Sequence, residues 1–386
     1  MRSVHRAFGM LAGWAAASLV LAAGCGPSAD TPCSPACGAG FACYYGVCVP
    51  DVDASGPPDV RDDGGGEDGG GDDAGIPPTG KLDLLFVIDD SGGMAEAQQM
   101  LVAAFPRLLD ALFAPPPAPG GDPEYPPVED LHVGVVSSDM GAGGFSVPTC
   151  ERSDDGRLQH EPATGVPGCA SSYPAFLTAT SPGAATARDF ECMATLGTNG
   201  CGFEQPLAAM REALTVHMAS GGDDAAFLRA DARLAVVVVS NENDCSSDDA
   251  AMFDPAGPTP LATRCVDLVD RLTPVARFVT ALESAKPSGA FAAAFVVGVP
   301  PSLATCNTTG DRLAACLADA SMQERINPST GQVQFVCEEG AVRATPGVRH
   351  VEAASRLGRR AIVRSICDPR YETFFASFAE LAQTTR

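Results

Sequence analysis

Leu84-Leu85-Phe86-Val87-Ile88-Asp89-Asp90-Ser91-Gly92-Gly93-Met94 is the stretch that decides the fold. Five consecutive apolar residues read as a strand buried on both faces, as in a parallel sheet covered by helices. Residues 95–113 then carry apolar side chains at 97, 100, 101, 104, 105, 108 and 109, the spacing of an amphipathic helix. Strand, short polar loop and helix make the opening unit of an open α/β sheet, and such sheets bind ligands at the carboxyl ends of their strands. Asp89 and Ser91 place a carboxylate and a hydroxyl two residues apart on that loop, both oxygen donors of the kind a hard cation takes.

Further anchors follow in order. Leu131-His132-Val133-Gly134-Val135-Val136-Ser137-Ser138-Asp139-Met140 reads as a second core strand with its loop, and Ala235-Val236-Val237-Val238-Val239-Ser240-Asn241 as another. Between them, Leu196-Gly197-Thr198-Asn199-Gly200 precedes a helix expected from Phe203. A further buried strand is expected over 291–297, helices over 265–284 and 311–325, and a closing amphipathic helix over 371–382 with Phe374, Phe375 and Phe378 in the core.

Taken together, these anchors resemble the von Willebrand factor type A (vWA) domain, whose first metal loop reads Asp-x-Ser-x-Ser after a hydrophobic strand. The chain is similar in particular to cysteine-rich vWA lipoproteins of high-GC Gram-negative bacteria, through Cys201-Gly202-Phe203-Glu204-Gln205 and Ser365-Ile366-Cys367. The resemblance implies a Rossmann-like, doubly wound, mostly parallel sheet flanked by helices over residues 81–386. It also implies a site for Mg²⁺ or another divalent cation at Asp89, Ser91, Thr198 and Asn241. Two departures bear on that site. The second serine of the pattern is Gly93, without a ligand atom, and the aspartate expected after the later strand is Asn241, a neutral amide. Magnesium usually keeps one or two carboxylates, and Asp89 alone is left of the family's set. Asp90, Asp139, Glu242 and Asp244 follow core strands and could replace what is lost, Asp90 reading most simply as a solvated loop residue. Two readings stay open, a cation-competent site and a degenerate one kept for its shape.

The amino-terminal region sets the compartment. Arg2 and Arg6 precede an apolar run from Met10 to Ala23, too short to span a bilayer, as in a signal peptide. It ends Leu21-Ala22-Ala23-Gly24-Cys25, which resembles a bacterial lipobox and implies lipidation of Cys25 and an envelope location, outer membrane rather than inner. Of 15 cysteines, the remainder fall into even groups. Cys33, Cys37, Cys43 and Cys48 lie in a mini-module over 25–50, and Cys150, Cys169, Cys192, Cys201, Cys245, Cys265, Cys306, Cys316, Cys337 and Cys367 in the main domain. In an exported chain such counts read as a disulfide framework. Connectivity does not follow from sequence; proximity alone suggests Cys150 with Cys169, Cys192 with Cys201 and Cys245 with Cys265. Residues 51–80 are Gly-rich and acidic, too poor in apolar side chains to order, and read as a disordered linker.

The formal charge of −23 excludes nucleic acid as a partner, which would need clustered Lys and Arg. Catalysis has little support: the five histidines are scattered, no His-Glu-x-x-His occurs, and Ser91 lacks a Gly-x-Ser-x-Gly context. His217, on a helix read as amphipathic, is expected at the surface or its boundary. Insertions over 114–128, 141–188 and 299–348 enlarge the domain, the second expected to form a stapled loop over the site edge. The functional expectation is a membrane-tethered lipoprotein, not an enzyme, that binds a protein or matrix component through its vWA loops. Its alternative is a cation-independent structural or assembly platform of the envelope.

Overall fold

The computed structural model describes residues 41–44, 47–50, 80–163, 165–286 and 289–384. The chain divides into two compact units, Met1–Gly71 and Asp72–Arg386. In the first, β1 (Phe41–Tyr44) and β2 (Val47–Pro50) pair antiparallel with Cys43 opposite Cys48. The signal sequence, Cys25, Cys33, Cys37 and linker residues 51–79 lie outside the described residues, as does the pairing of the four module cysteines.

The second unit runs β3 (Lys81–Ile88), α1 (Ala95–Phe113), β4 (Asp130–Ser137), β5 (Leu177–Ala179), α2 (Ala184–Ala194), α3 (Pro206–Glu212) and β6 (Arg233–Val239). It continues through α4 (Arg264–Asp267), α5 (Val275–Ala285), β7 (Phe291–Val297), α6 (Ala314–Leu317), β8 (Cys337–Glu339), β9 (Val342–Ala344), α7 (Val348–Leu357), β10 (Ala361–Ser365) and α8 (Tyr371–Thr384). Six strands form one sheet in the order β10-β7-β6-β3-β4-β5. All neighbours are parallel except β5, which runs antiparallel to β4 at the edge. The sequence therefore winds outward on one side of β3 and then resumes on the other with β6. This is the doubly wound arrangement, and its switch point lies between the carboxyl ends of β3 and β6.

Side chains alternate across a strand, so β3 feeds two cores. Leu82, Leu84, Phe86 and Ile88 face α1, α2 and α8; Leu85 and Val87 face the α3, α5 and α7 layer. The first core is built around stacked aromatics, with Phe105 and Phe190 ring centroids 3.7 Å apart and Phe190 4.7 Å from Phe86. Phe374, Phe375 and Phe378 of α8 are buried there, as the apolar spacing implies.

Several expectations need correction. The helix expected over 265–284 is broken into α4, a short 3₁₀ turn and α5, because Pro274 lacks an N–H and disfavours helical backbone at Thr273. Over 311–325 only α6 and flanking 3₁₀ turns form. There Asp319 accepts hydrogen bonds from the Ser321 N–H at 2.9 Å and the Ser321 hydroxyl at 2.6 Å, a local alternative to helix. The helix expected from Phe203 starts at Pro206 and ends in a π-turn over Ala213–His217. His217 is buried, with Nε2 2.8 Å from the Asp155 carbonyl.

All ten cysteines of this unit form disulfides, but two of the proximity pairings are wrong. The bridges are Cys150–Cys201, Cys169–Cys192, Cys245–Cys265, Cys306–Cys316 and Cys337–Cys367. The 141–188 segment is thus not closed on itself. One staple fastens it to the loop before α3 and the other to α2, and it carries the edge strand β5.

Candidate functional site at the sheet switch point

Asp89 directly follows β3, fully buried, its N–H still in register with Val239 O at 2.9 Å. Its Oδ1 accepts the Ser91 N–H at 2.8 Å and its Oδ2 the Ser240 hydroxyl at 2.6 Å, so both strands of the switch point hold this carboxylate. Behind it, the Gln98 amide of α1 donates to Asp89 O at 3.0 Å and to Gly197 O at 2.9 Å, and accepts from the Gly197 N–H at 3.2 Å. That clamp draws the Thr198 loop against β3. Thr198 is half-buried in it, between Gly197 and Gly200, whose N–H donates to Asp90 O at 2.8 Å.

Asp90 is not solvated: its carboxyl is buried and lies where a Cβ on Gly200 would fall, 2.3 Å away. Glycine is required at 200 by this close approach. Asp139, after β4, is committed to its own loop, accepting the Gly141 N–H at 2.8 Å and the Cys201 N–H at 3.2 Å. Asp244 is equally committed. It caps α3 through the Leu207 N–H at 3.0 Å and pairs with Arg349 at 3.0 Å, with Ser246 capping Ala208 at 2.9 Å beside it. Asp139 and Asp244 therefore do not stand in for the lost ligands.

The two departures from the vWA pattern meet in space. Gly93, at φ +98°, lies so that a Cβ there would sit 3.1 Å from Asn241 Nδ2. Asn241 Nδ2 donates to Arg343 O at 3.2 Å, and Asn241 O accepts the Thr345 N–H at 2.9 Å, so the β8–β9 insertion packs directly beside the site. With Nδ2 fixed on a carbonyl, the amide orientation is set, and Asn241 Oδ1 is left buried and unpartnered.

Glu204, in the segment leading into α3, and Glu242, after Ser240, add two acids. Glu204 is buried and Glu242 half-buried, and their side chains share a hydrogen bond. Glu324, from the insertion, carries a further negative charge facing Glu242.

Burial raises the Asp89 carboxyl above the usual range, opposed by its hydrogen bond from Ser240. Asp90 is pushed up to about 8, by burial first and then by the charges of Asp89, Asp139 and Asp154. Glu204 is driven well above its ordinary value by burial and by Glu242 and Asp89, and Glu242 up to about 7 by burial and Asp89. Four buried oxygens, Asp90 Oδ1, Ser91 Oγ, Ser138 Oγ and Asn241 Oδ1, have no hydrogen-bond partner among the described residues. Such atoms are costly unless something satisfies them. Unpaired oxygens beside clustered carboxylates suit a hard, oxygen-ligated divalent cation. Of the residues expected to hold one, Asp89, Ser91 and Asn241 come together, with the Thr198 loop clamped alongside.

Gln98, Ser138, Ser240 and Glu204 were not singled out from the sequence as site residues. Ser138 and Ser240 immediately follow core strands, and Gln98 interrupts an apolar helical stripe, signals that could have flagged them. Glu204 precedes a proline at a helix start, where its distance from β3 in sequence hides its proximity in space.

Elsewhere, Asp155, Glu212 and His217 present atoms within 4.8 Å of one another, but His217 Nε2 is already engaged by the Asp155 carbonyl. A groove of about 830 Å³ between α1 and the start of α2, lined by Val102, Pro106, Leu109 and Ala187, shares no lining residue with the switch point. No helix among the described residues is long and apolar enough to cross a membrane.

No protein-family model and no curated protein sequence matches this chain. Among solved structures it is similar to an aerotolerance-related membrane protein from Bacteroides fragilis, at 11% identity over 78% of this chain and 98% of that one, TM-score 0.31. It is also similar to proximal thread matrix protein 1 of the mussel byssus, at 10% identity over 75% and 48%, TM-score 0.24. A third likeness is to the human COPII-coat protein Sec24c, at 11% identity over 57% and 26%, TM-score 0.24. The fold assignment rests on the strand order itself.

Proposed function

We propose that this chain is an envelope-tethered binding protein of the vWA type, anchored through a lipidated Cys25. Its carboxyl-edge loops engage a protein or matrix partner with the help of a divalent cation. The observation that carries this reading is the set of four buried, unpartnered oxygens at the switch point, next to an Asp89 held by both central strands. Asp89, Ser91 and Asn241 would hold the cation, with Thr198 on the adjoining loop. When bound, a divalent cation would supply the positive charge this acidic site lacks and a coordination position open to a partner's carboxylate. The chain's own residues orient the donors. Gln98 ties the Thr198 loop to β3, Ser240 fixes Asp89, and the Asp89 carboxylate turns the Ser91 backbone inward.

A specific observation favours the second reading, a cation-independent platform of the cell envelope. Gly93 offers no ligand, and Asn241 is fastened to the β8–β9 insertion through Arg343 O. The two readings separate in one assay. Cells displaying the full chain or its Asp89→Ala variant are compared for adhesion to protein-coated surfaces, with and without chelator. Adhesion that chelator abolishes, Mg²⁺ restores and Asp89→Ala removes is the expected outcome. Adhesion indifferent to all three refutes cation-dependent binding and leaves the platform.

A further inference from the structure

Away from the switch point, a buried imidazole meets two carboxylates at the end of α3. Ligand atoms of Asp155, Glu212 and His217 lie within 4.8 Å of one another. His217 is 4% exposed, Glu212 half-buried and the Asp155 side chain 54% exposed, so the cluster is anchored in the interior and open to solvent. The chain is bent twice to make it. Glu212 ends α3, and the π-turn over Ala213–His217 follows, closed by the Met218 N–H on Ala213 O at 2.8 Å. In a continued α-helix, position 217 would lie about 140° around the axis from 212. Bonding from i to i+5 instead brings residues five apart back over each other, and such turns recur at functional sites. Asp155 comes from the 141–188 insertion and holds φ +55°, uncommon for a residue with a side chain. Beside it, Gly156 lies so near the helix that a Cβ would fall 2.7 Å from Ala209 O and 3.1 Å from Glu212 Cβ.

His217 Nε2 faces Asp155 twice, with the carbonyl oxygen at 2.8 Å and Oδ2 at 3.7 Å. Two oxygens turned on one ring nitrogen need a positive centre between them, and a proton on Nε2 is one way to supply it. A metal ion is the other. It takes the nitrogen lone pair in place of that proton and leaves the carbonyl as a further donor, so the hydrogen bond to Asp155 O does not oppose it. At bond lengths of about 2.0–2.2 Å, two ligands of one zinc ion stand roughly 3–3.5 Å apart. The Oδ2 contact is close to that spacing, and rotation of the two carboxylates, which reach solvent, closes the rest. The neighbouring cation, Arg157, is paired with Asp223, so its charge is engaged there.

We propose that Asp155, Glu212 and His217 bind a divalent metal of the zinc class, with Asp155 O and water available to complete the shell. The imidazole selects this class over Mg²⁺ and Ca²⁺, which take oxygen donors. The bound ion would pin the insertion to α3 between its two staples, Cys150–Cys201 and Cys169–Cys192. It would also bear on the sheet edge at one remove, because adjacent Asp154 accepts the Ser137 hydroxyl at 2.6 Å and donates its N–H to Asp139 O at 3.0 Å. The site shares no residue with the switch point and does not depend on the cation-assisted reading above.

The test is calorimetric titration of Zn²⁺ into the oxidised full chain in excess Mg²⁺, which fills oxygen-only sites, with Co²⁺ absorption as a second readout. The natural protein should take up one saturable Zn²⁺ equivalent and shift the visible bands of Co²⁺ from those of the aqueous ion. Asp155→Asn and Glu212→Gln each remove a charge at a position that reaches solvent. Each should lower zinc affinity by at least about tenfold, since losing even an outer-shell partner costs that much. His217→Gln, whose amide can still donate to Asp155 O, should abolish the Co²⁺ shift. Should that variant fold poorly, the two carboxylate variants carry the test alone. No zinc binding by the natural chain, binding that excess Mg²⁺ displaces, or full affinity in both carboxylate variants overturns the assignment.

Discussion

The two ends of β3 each bury an aspartate, and they treat it in opposite ways. At the amino end, fully buried Asp83 accepts the Arg229 N–H at 2.7 Å and Arg229 Nε at 2.8 Å, with Lys286 at 3.7 Å and His132 at 3.7 Å. Burial raises its carboxyl, and Arg229 and Lys286 work against that rise. At the carboxyl end, Asp89 and Asp90 have hydroxyls, amides and other acids around them, and the charges acting on Asp90, those of Asp89, Asp139 and Asp154, are all negative. One strand thus carries a compensated acid and an uncompensated pair. The first pattern is what a fold needs to keep a buried charge; the second costs stability and is retained where something else is bound or done.

pH breaks the comparison most sharply. Asp90 titrates at about 8 in the folded chain against 3.8 for its ordinary value. Between those limits the folded chain holds a proton the unfolded chain has released. Its contribution to stability is complete below the lower value and is lost as pH rises through the upper one. Asp90→Asn cannot titrate, so the variant should gain on the natural protein by on the order of 5 kcal/mol between pH 4 and pH 8 in chelator. Urea melts at both pH values measure this; parallel pH profiles for the two proteins would show that Asp90 is not strained by its neighbours.

Removing the charge at each end comes next. Asp83→Asn leaves Lys286 buried without its carboxylate and Arg229 with Asp130, at 2.7 Å, as its remaining acid, and should cost about 3 kcal/mol, the lower end for breaking a buried pair. Asp89→Asn in chelator keeps an acceptor for the Ser91 N–H and sheds an unneutralised charge, so its cost should be about 1 kcal/mol or less. Equal losses in denaturant melts would erase the distinction between the two ends.

Disulfides offer a milder contrast between the loop at the site and the insertion behind it. Cys150–Cys201 spans a sequence separation of 51, Cys306–Cys316 one of 10. In the chain-entropy account, replacing the first pair by serine should cost about 1–1.5 kcal/mol more than replacing the second. Paired urea melts of the two double-serine variants decide it, and a reversed order would point to native-state packing instead of unfolded-chain entropy.

These contrasts also mark what the sequence could reveal. Strand β7 and helix α1 have the bounds expected from apolar runs and periodicity, because burial on both faces and a 3.6-residue stripe are local patterns. Asp89, Ser91 and Asn241 were legible as strand-end residues for the same reason. What stayed hidden depends on long-range encounters. Asp90 looks solvated until Gly200 covers it. Glu204 nears Glu242 only once the segment before α3 folds back onto the loop after β6, where the Cys245 N–H donates to Glu204 O, and Cys150 passes over Cys169 to reach Cys201. The break before Pro274 is, by contrast, a local signal, since proline lacks an N–H and disfavours helical backbone at the residue before it.

A last test asks whether the site can be returned to the vWA pattern. Gly93→Ser places a side chain on backbone at φ +98°, which L residues rarely adopt, and sets its Cβ 3.1 Å from Asn241 Nδ2. The strain should cost about 1–2 kcal/mol. Adding Asn241→Asp removes the donor that binds Arg343 O, freeing the side chain to give way while losing one anchor of the β8–β9 insertion. The double variant should therefore be no more stable than Gly93→Ser in chelator, and should recover stability on adding Mg²⁺ if the restored serine and aspartate form a ligand set. Calorimetric titration of Mg²⁺ into the natural and doubly substituted chains reads this directly. Tight binding only in the double variant means the natural loop has left the vWA chemistry. Comparable binding in both means the natural donors, Asp89, Ser91 and Asn241 with the Thr198 loop, already suffice.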